Sequence, residues 1–236
     1  MCDYCVSAAG KTGLSRRGLF AAGAGLALAG MLSTPLLAQS AAVGPDEALK
    51  RLVDGNGRYV AGNLNERDFS AGRAARAASQ APFASIVSCA DSRIAPELAF
   101  DQGPGQLFVT RVAGNFVNAD VLASLEFGAQ VLGSQLILVL GHTSCGAISA
   151  TIDVVKNKTK LPGHLPSLTN AIRPAVLAAQ KEGAADLLKA ATIANVRLNV
   201  AKLKKATPIL SQRLAQKQLA VVGGVYDLAT GKVELV

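Results

Sequence analysis

Residues 135–146 read Gln-Leu-Ile-Leu-Val-Leu-Gly-His-Thr-Ser-Cys-Gly. Leu136 to Leu140 is continuous aliphatic sequence of strand length with no polar alternation. Such a strand is covered on both faces, as in a parallel sheet. It runs directly into Gly141-His142, and in open parallel sheets sites gather beyond the carboxyl ends of strands. Working outward, Phe83-Ala-Ser-Ile-Val-Ser88 is a second buried strand that ends at Cys89, and Leu107 to Val112 is a third. Leu219 to Tyr226 is a fourth. The turn signal Asp227-Leu-Ala-Thr-Gly231 then returns the chain into a last short strand, Lys232 to Leu235. Helical spacing of apolar residues marks Asp46–Ala61, with Asp46 placed to cap, and also Asn118–Val131 and Ala147–Val155. Residues 167–217 are rich in Ala, Leu and Lys and hold two or three helices. Strands alternating with helices predict an α/β fold: a mostly parallel β-sheet flanked by helices, with a short antiparallel edge strand at the C-terminus.

The 236 residues suit one such domain. Half are hydrophobic and 17% are charged, which excludes an intrinsically disordered chain. Four cysteines in this length do not make a disulfide-stapled miniprotein. The net charge is +8, but the basic residues are scattered and aromatics are 4%, so no nucleic-acid partner is expected. Neither a phosphate loop nor a dinucleotide fingerprint stands at a strand–helix junction.

Residues 1–40 have the three parts of an export signal: basic Arg16-Arg17, an apolar stretch from Leu19 to about Leu37, and small residues around Ala38-Gln39-Ser40-Ala41. The arginine pair before a mildly apolar, Gly-rich stretch resembles a twin-arginine signal, which predicts a periplasmic protein. Cleavage near Ser40 would leave residues 41–236 as a single domain with a charge of +6 and no membrane span. It would also discard the Cys2–Cys5 pair and leave Cys89 and Cys145 as the only cysteines.

Those two cysteines carry the chemistry. His142 and Cys145 have two residues between them, so one turn can present both to one metal ion, and Cys89 ends a neighbouring predicted strand. Two thiolates and an imidazole suit Zn²⁺. Three protein ligands leave the fourth tetrahedral position open, the catalytic rather than the structural pattern. In Cys89-Ala-Asp-Ser-Arg93, Arg93 can fork onto Asp91 and keep it ionised beside the metal.

Cys89-Ala-Asp-Ser-Arg93 and Gly141-His-Thr-Ser-Cys-Gly146 resemble the two signature motifs of the β-class carbonic anhydrases. The resemblance runs from about Asp46 to Val236 and includes Arg111-Val-Ala-Gly-Asn115. It implies one Zn²⁺ per chain on Cys89, His142 and Cys145, with Asp91 and Arg93 as the catalytic pair. It further implies reversible hydration of CO₂ to bicarbonate by attack of zinc hydroxide. Gln80 matches the substrate-side glutamine, and Phe108, Ala113, Phe127 and Gly146 fall where the family lines its CO₂ pocket. Phe127 stands where Tyr is frequent, and Ala113 where Val is. The absence of Trp argues against the subtype whose regulatory bicarbonate site uses one. A homodimer or larger homo-oligomer is implied in the same way.

Two alternatives remain open at this stage. Carbon disulfide and carbonyl sulfide hydrolases share the fold, and a non-enzymatic zinc or redox module would use the same cysteines. His164, the one other imidazole, is a candidate proton shuttle, set against the plainer reading of an incidental loop residue.

Overall fold

A computed structural model describes residues 43–236, so the export signal and the Cys2–Cys5 pair lie outside the described residues. The element order is α1 (Pro45–Val60), α2 (Arg73–Ala78), β1 (Ala84–Ser88), α3 (Pro96–Ala99), β2 (Leu107–Arg111), α4 (Ala119–Gln130) and β3 (Leu136–His142). Then follow α5 (Gly146–Asn157), α6 (Leu165–Lys181), α7 (Leu187–Lys204), α8 (Ile209–Ala215), β4 (Ala220–Tyr226) and β5 (Val233–Leu235). The sheet order is β2-β1-β3-β4-β5. The first four strands are parallel, and β5 closes the edge antiparallel to β4.

The unalternated strands occupy the sheet centre, and every residue of β1 and β3 is buried. Successive side chains of β3 serve opposite faces. Leu136, Leu138 and Leu140 pack with Ala48 and Leu52 of α1 and with Phe100. Ile137 and Val139 pack with Val121 and Leu125 of α4, Val196 and Leu203 of α7, and Leu210 of α8. A third cluster gathers Cys89 and Cys145 with Ile148 of α5 and Ile172 and Val176 of α6. The two cysteine sulfurs therefore sit in an apolar shell.

Helix α1 differs from expectation at its start. Pro45 takes the first turn behind Gly44, and Asp46 lies inside the helix with no capping bond. Proline is preorganised for that position, and its missing N–H would have gone unpaired anyway. Asn118 does cap α4, accepting from Val121 N–H at 2.9 Å. The 167–217 region resolves into three helices, divided at Gly183 (φ +66°) and Pro208. Helix α2, which buries nothing, and the one-turn α3 carry no apolar periodicity and escape a sequence reading. Among the described residues no helix is long and apolar enough to cross a membrane.

Two buried polar residues tie α1 to the sheet. Asn56 donates to Ala99 O and Gly231 O, both at 2.9 Å, and accepts from Val233 N–H at 2.9 Å. Asp101, fully buried, accepts from Arg58, Arg67 and Asn65. Burial alone would raise its pKa, but the hydrogen bonds from Arg67 and Arg58 outweigh that and hold the carboxyl below its usual value.

A folded-state pKa below the unfolded one stabilises the protein above about pH 3.9 and is lost as pH falls through the folded value. Asp101→Asn is expected to cost about 2–3 kcal/mol at pH 7, the scale of a charge-assisted hydrogen bond. In urea melts the gap between wild type and variant should narrow below about pH 4. Equal stability at pH 7 would show that the cluster holds nothing together.

Candidate metal centre

Parallel pairing brings the site together. Ser88 of β1 stands in register with Leu140 of β3, so Cys89, one residue past β1, comes out beside Gly141-His142. Ser144 (φ +55°) then turns the chain so that Cys145 caps α5 and faces back. Residues 53 positions apart in sequence thereby meet.

One potential ligand atom from each of Cys89, His142 and Cys145 lies within 4.8 Å of the others, and all three residues are buried. The two sulfurs are 4.0 Å apart. Sulfurs on a tetrahedral ion with bonds of about 2.3 Å stand about 3.8 Å apart, so the pair is already near coordination distance. His142 Nδ1 lies 2.9 Å from Thr143 O, which can only accept, so Nδ1 carries the proton and Nε2 the lone pair. Nε2 is buried and has no hydrogen-bond partner. An orphaned acceptor facing two thiols is the donor set of a soft or borderline metal ion.

Asp91 borders this group, its Oδ2 3.8 Å from His142 Nε2. Arg93 occupies both carboxylate oxygens, Nε to Oδ1 at 2.9 Å and Nη2 to Oδ2 at 2.7 Å, and also reaches Ser144 O at 3.3 Å. These bonds hold the Asp91 carboxyl well below the usual carboxylate range. The fork holds Asp91 beside the group by two charge-assisted bonds.

The two sulfurs are coupled through the hydrogen bond between them. The Cys145 thiol donates to the Cys89 sulfur, which pulls Cys89 below its ordinary pKa against the effect of burial and pushes Cys145 up. Burial lowers the pKa of His142, but the adjacent Cys89 sulfur outweighs it and raises the value. A metal binding here displaces these protons, so its affinity rises with pH.

Two supports come from the Arg111–Asn115 segment, which the sequence marks only as part of the resemblance. Arg111, at the end of β2, donates to the carbonyls of Cys89, Asp91 and Ile94 at 3.1, 2.7 and 3.0 Å and so shapes the whole Cys89–Ile94 turn. Gly114 N–H donates to Cys89 Sγ at 3.2 Å. Gly114 has φ +84°, and a Cβ there would lie 2.5 Å from Ile172 Cδ1, so glycine is required. The Gly-Asn pair directly after a strand was the available signal.

The expected pocket residues divide into two groups. Ala113, next to Gly114, and Gly146, which opens α5, lie at the metal end. Phe108 and Phe127 pack together, ring centroids 6.2 Å apart, but Phe108 stands in register with Ser85. At about 3.3 Å per residue that level is about 13 Å along β1 from Cys89. Gln80 is exposed ahead of β1, in a groove with Arg76, Ser79 and Pro104. Within one chain Gln80, Phe108 and Phe127 stand apart from the metal group: Gln80 precedes β1, Phe108 is near the amino end of β2, and Phe127, on α4, packs against Phe108. His164 is exposed at the start of α6.

A sequence model of the family described as "Carbonic anhydrase" matches residues 84–233. A carbonic anhydrase of Mycolicibacterium smegmatis is 39% identical over 194 residues, covering 81% of this chain and 93% of the relative. Carbonic anhydrase 2 of Mycobacterium tuberculosis is 38% identical over 192 residues, covering 81% and 92%. Among solved structures, the Coccomyxa β-carbonic anhydrase in complex with acetazolamide superimposes with a TM-score of 0.63 at 33% identity, covering 71% of this chain and 77% of that one. The β-carbonic anhydrase CcaA gives a TM-score of 0.61 at 28% identity, covering 79% and 94%. These matches favour CO₂ as the substrate over carbon disulfide or carbonyl sulfide, and an enzyme over a zinc or redox module. With a Cys₂His cluster at the carboxyl end of a parallel sheet and relatives that match most of its length, the chain belongs to the β-class carbonic anhydrases, enzymes that interconvert CO₂ and bicarbonate.

Proposed function

We propose that the resident metal is zinc, held by Cys89, His142 and Cys145, and that Asp91 and Arg93 serve the reaction beside it. The observation that carries this reading is the buried, unpartnered Nε2 of His142 facing two sulfurs 4.0 Å apart. When bound, zinc supplies the Lewis acidity that lets water at its open position ionise near neutral pH. Asp91 Oδ2, 3.8 Å from His142 Nε2, would accept a hydrogen bond from the attacking oxygen and so orient it towards carbon. Arg93 keeps Asp91 ionised and offsets the repulsion between carboxylate and nucleophile. Ala113 and Gly146 leave room for a small apolar substrate.

We further propose that a second copy completes the pocket, with Gln80, Phe108 and Phe127 of one protomer facing the metal end of its partner. Phe127 is 47% exposed, an unusual state for a ring packed on another aromatic, and Val131, one turn on, is 63% exposed. Gln80 then donates its amide to the oxygen that gains charge as bicarbonate forms.

The periplasmic location read from Arg16-Arg17 belongs to the same proposal. A Cys₂His site delivered unfolded to an oxidising compartment would expose both thiols to disulfide formation before zinc arrived. Export after folding and metal loading avoids that exposure.

Four experiments test these readings. Cys145→Ala should lower zinc well below one per chain. Asp91→Asn should retain zinc but lose CO₂ hydration by about 10²-fold or more, the usual share of a positioned acid–base group. Full zinc and unchanged activity in Cys145→Ala would refute the ligand assignment. Mixing inactive Gln80→Ala and Cys145→Ala proteins after subunit exchange should restore about a quarter of wild-type activity, because half of random two-fold dimers regain one intact site. No recovery in proven heterodimers would place each site within one chain. Replacing Arg16 and Arg17 by Lys should leave active, zinc-loaded enzyme in the cytoplasm, and normal periplasmic activity from that variant would contradict folded export.

A further inference from the structure

Asn195 and Asn199 stand in the middle of α7, Asn195 fully buried and Asn199 4% exposed. Asparagine is a mediocre helix former, and burying its amide is costly unless it is bonded. Both side chains leave the helix for the same target, the segment that follows β2. Asn195 Nδ2 donates to Gly114 O at 2.8 Å, and Asn199 Oδ1 accepts from Val117 N–H at 2.8 Å. One turn of helix separates the two residues, so they share a face. Asn199 Nδ2 donates to Asn195 O at 2.8 Å and lies 3.3 Å from Asn195 Oδ1, which fixes the way the Asn195 amide points. Lys202 continues the row and donates to Val117 O.

The segment they hold could not keep its shape alone. Gly114 and Asn115 have consecutive positive φ values, +84° and +41°. Gly114 is pinned on both sides, its carbonyl by Asn195 and its N–H by the Cys89 sulfur at 3.2 Å. An N–H aimed at a thiolate withdraws charge from the sulfur and weakens its donation to a metal. That matters where two thiolates nearly cancel the charge of a divalent ion.

We infer that Asn195 is a positioning residue that acts through Gly114 to set how strongly Cys89 donates to the metal. The inference rests on Cys89 being a ligand, which the same experiment examines separately. Cobalt(II) replaces zinc in wild type, Asn195→Leu and Val196→Ala. Val196 is equally buried but packs on Gly141 and Gly223 of the sheet, so its truncation disturbs α7 without touching Gly114. In Asn195→Leu the thiolate-to-cobalt charge-transfer bands should move to longer wavelength, because Cys89 loses the N–H that withdraws its charge. Val196→Ala should keep the wild-type bands. Unchanged bands in Asn195→Leu, or equal shifts in both variants, would overturn the inference. Wild type without thiolate-to-cobalt bands would instead overturn the ligand assignment. Should Asn195→Leu fail to fold, cadmium-113 in the wild-type protein decides. The Gly114 amide proton should show coupling to cadmium through the Cys89 sulfur, and its absence would overturn the inference.

Discussion

The parallel pairing of β1 with β3 is the constraint on which the rest of the molecule depends. It sets Ser88 against Leu140, and everything at the metal end follows from that register. A slip of one residue would turn Ile86 and Val87 to the wrong faces and move Cys89 away from His142. The register is fixed because both strands are buried on both sides, so no alternative pairing keeps the leucines of β3 under α1 and its isoleucine and valine under α4 and α7. Hydrophobic packing, which has no direction of its own, thereby positions three ligand atoms.

Electrostatics does the remaining work at the carboxyl end. The sulfurs bring negative charge into an apolar shell, and Asp91 adds more beside them. Arg93 and Arg111 answer it in different ways. Arg93 neutralises the Asp91 carboxylate directly, whereas Arg111 spends its donors on three backbone carbonyls and fixes the turn that carries Asp91. The guanidinium fork suits both tasks because its donors are rigidly arrayed and always charged. A lysine at position 93 could not hold both oxygens of Asp91, and the carboxylate would be freer to swing onto the metal.

Much of this was legible in the residues. The unbroken aliphatic runs predicted buried central strands, and the placement of Cys89 and His142 at their ends put the chemistry at the carboxyl edge. The antiparallel last strand was visible in the Asp227–Gly231 turn. The α1 start was misjudged because Asp46 is a good cap in isolation, but Pro45 already occupies the first helical turn. The division of the pocket could not be read, because a motif does not say at which end of a strand its neighbours lie. Only the register shows Phe108 level with Ser85 rather than with Cys89. Asn195 and Asn199 were hidden for a related reason. A polar residue in a helix reads as solvent-facing until its partner, 81 residues away, is known.

The proposed zinc centre requires a fourth position open to water, with Asp91 held on Arg93 rather than on the metal. X-ray absorption at the zinc edge of the purified enzyme measures this directly. The expected first shell is two sulfurs, one imidazole nitrogen and one light atom that exchanges with added anions. The spectrum should be unchanged in Asp91→Asn. A shell whose fourth atom is a carboxylate oxygen, lost in Asp91→Asn, would contradict the account. So would a shell with fewer than two sulfurs.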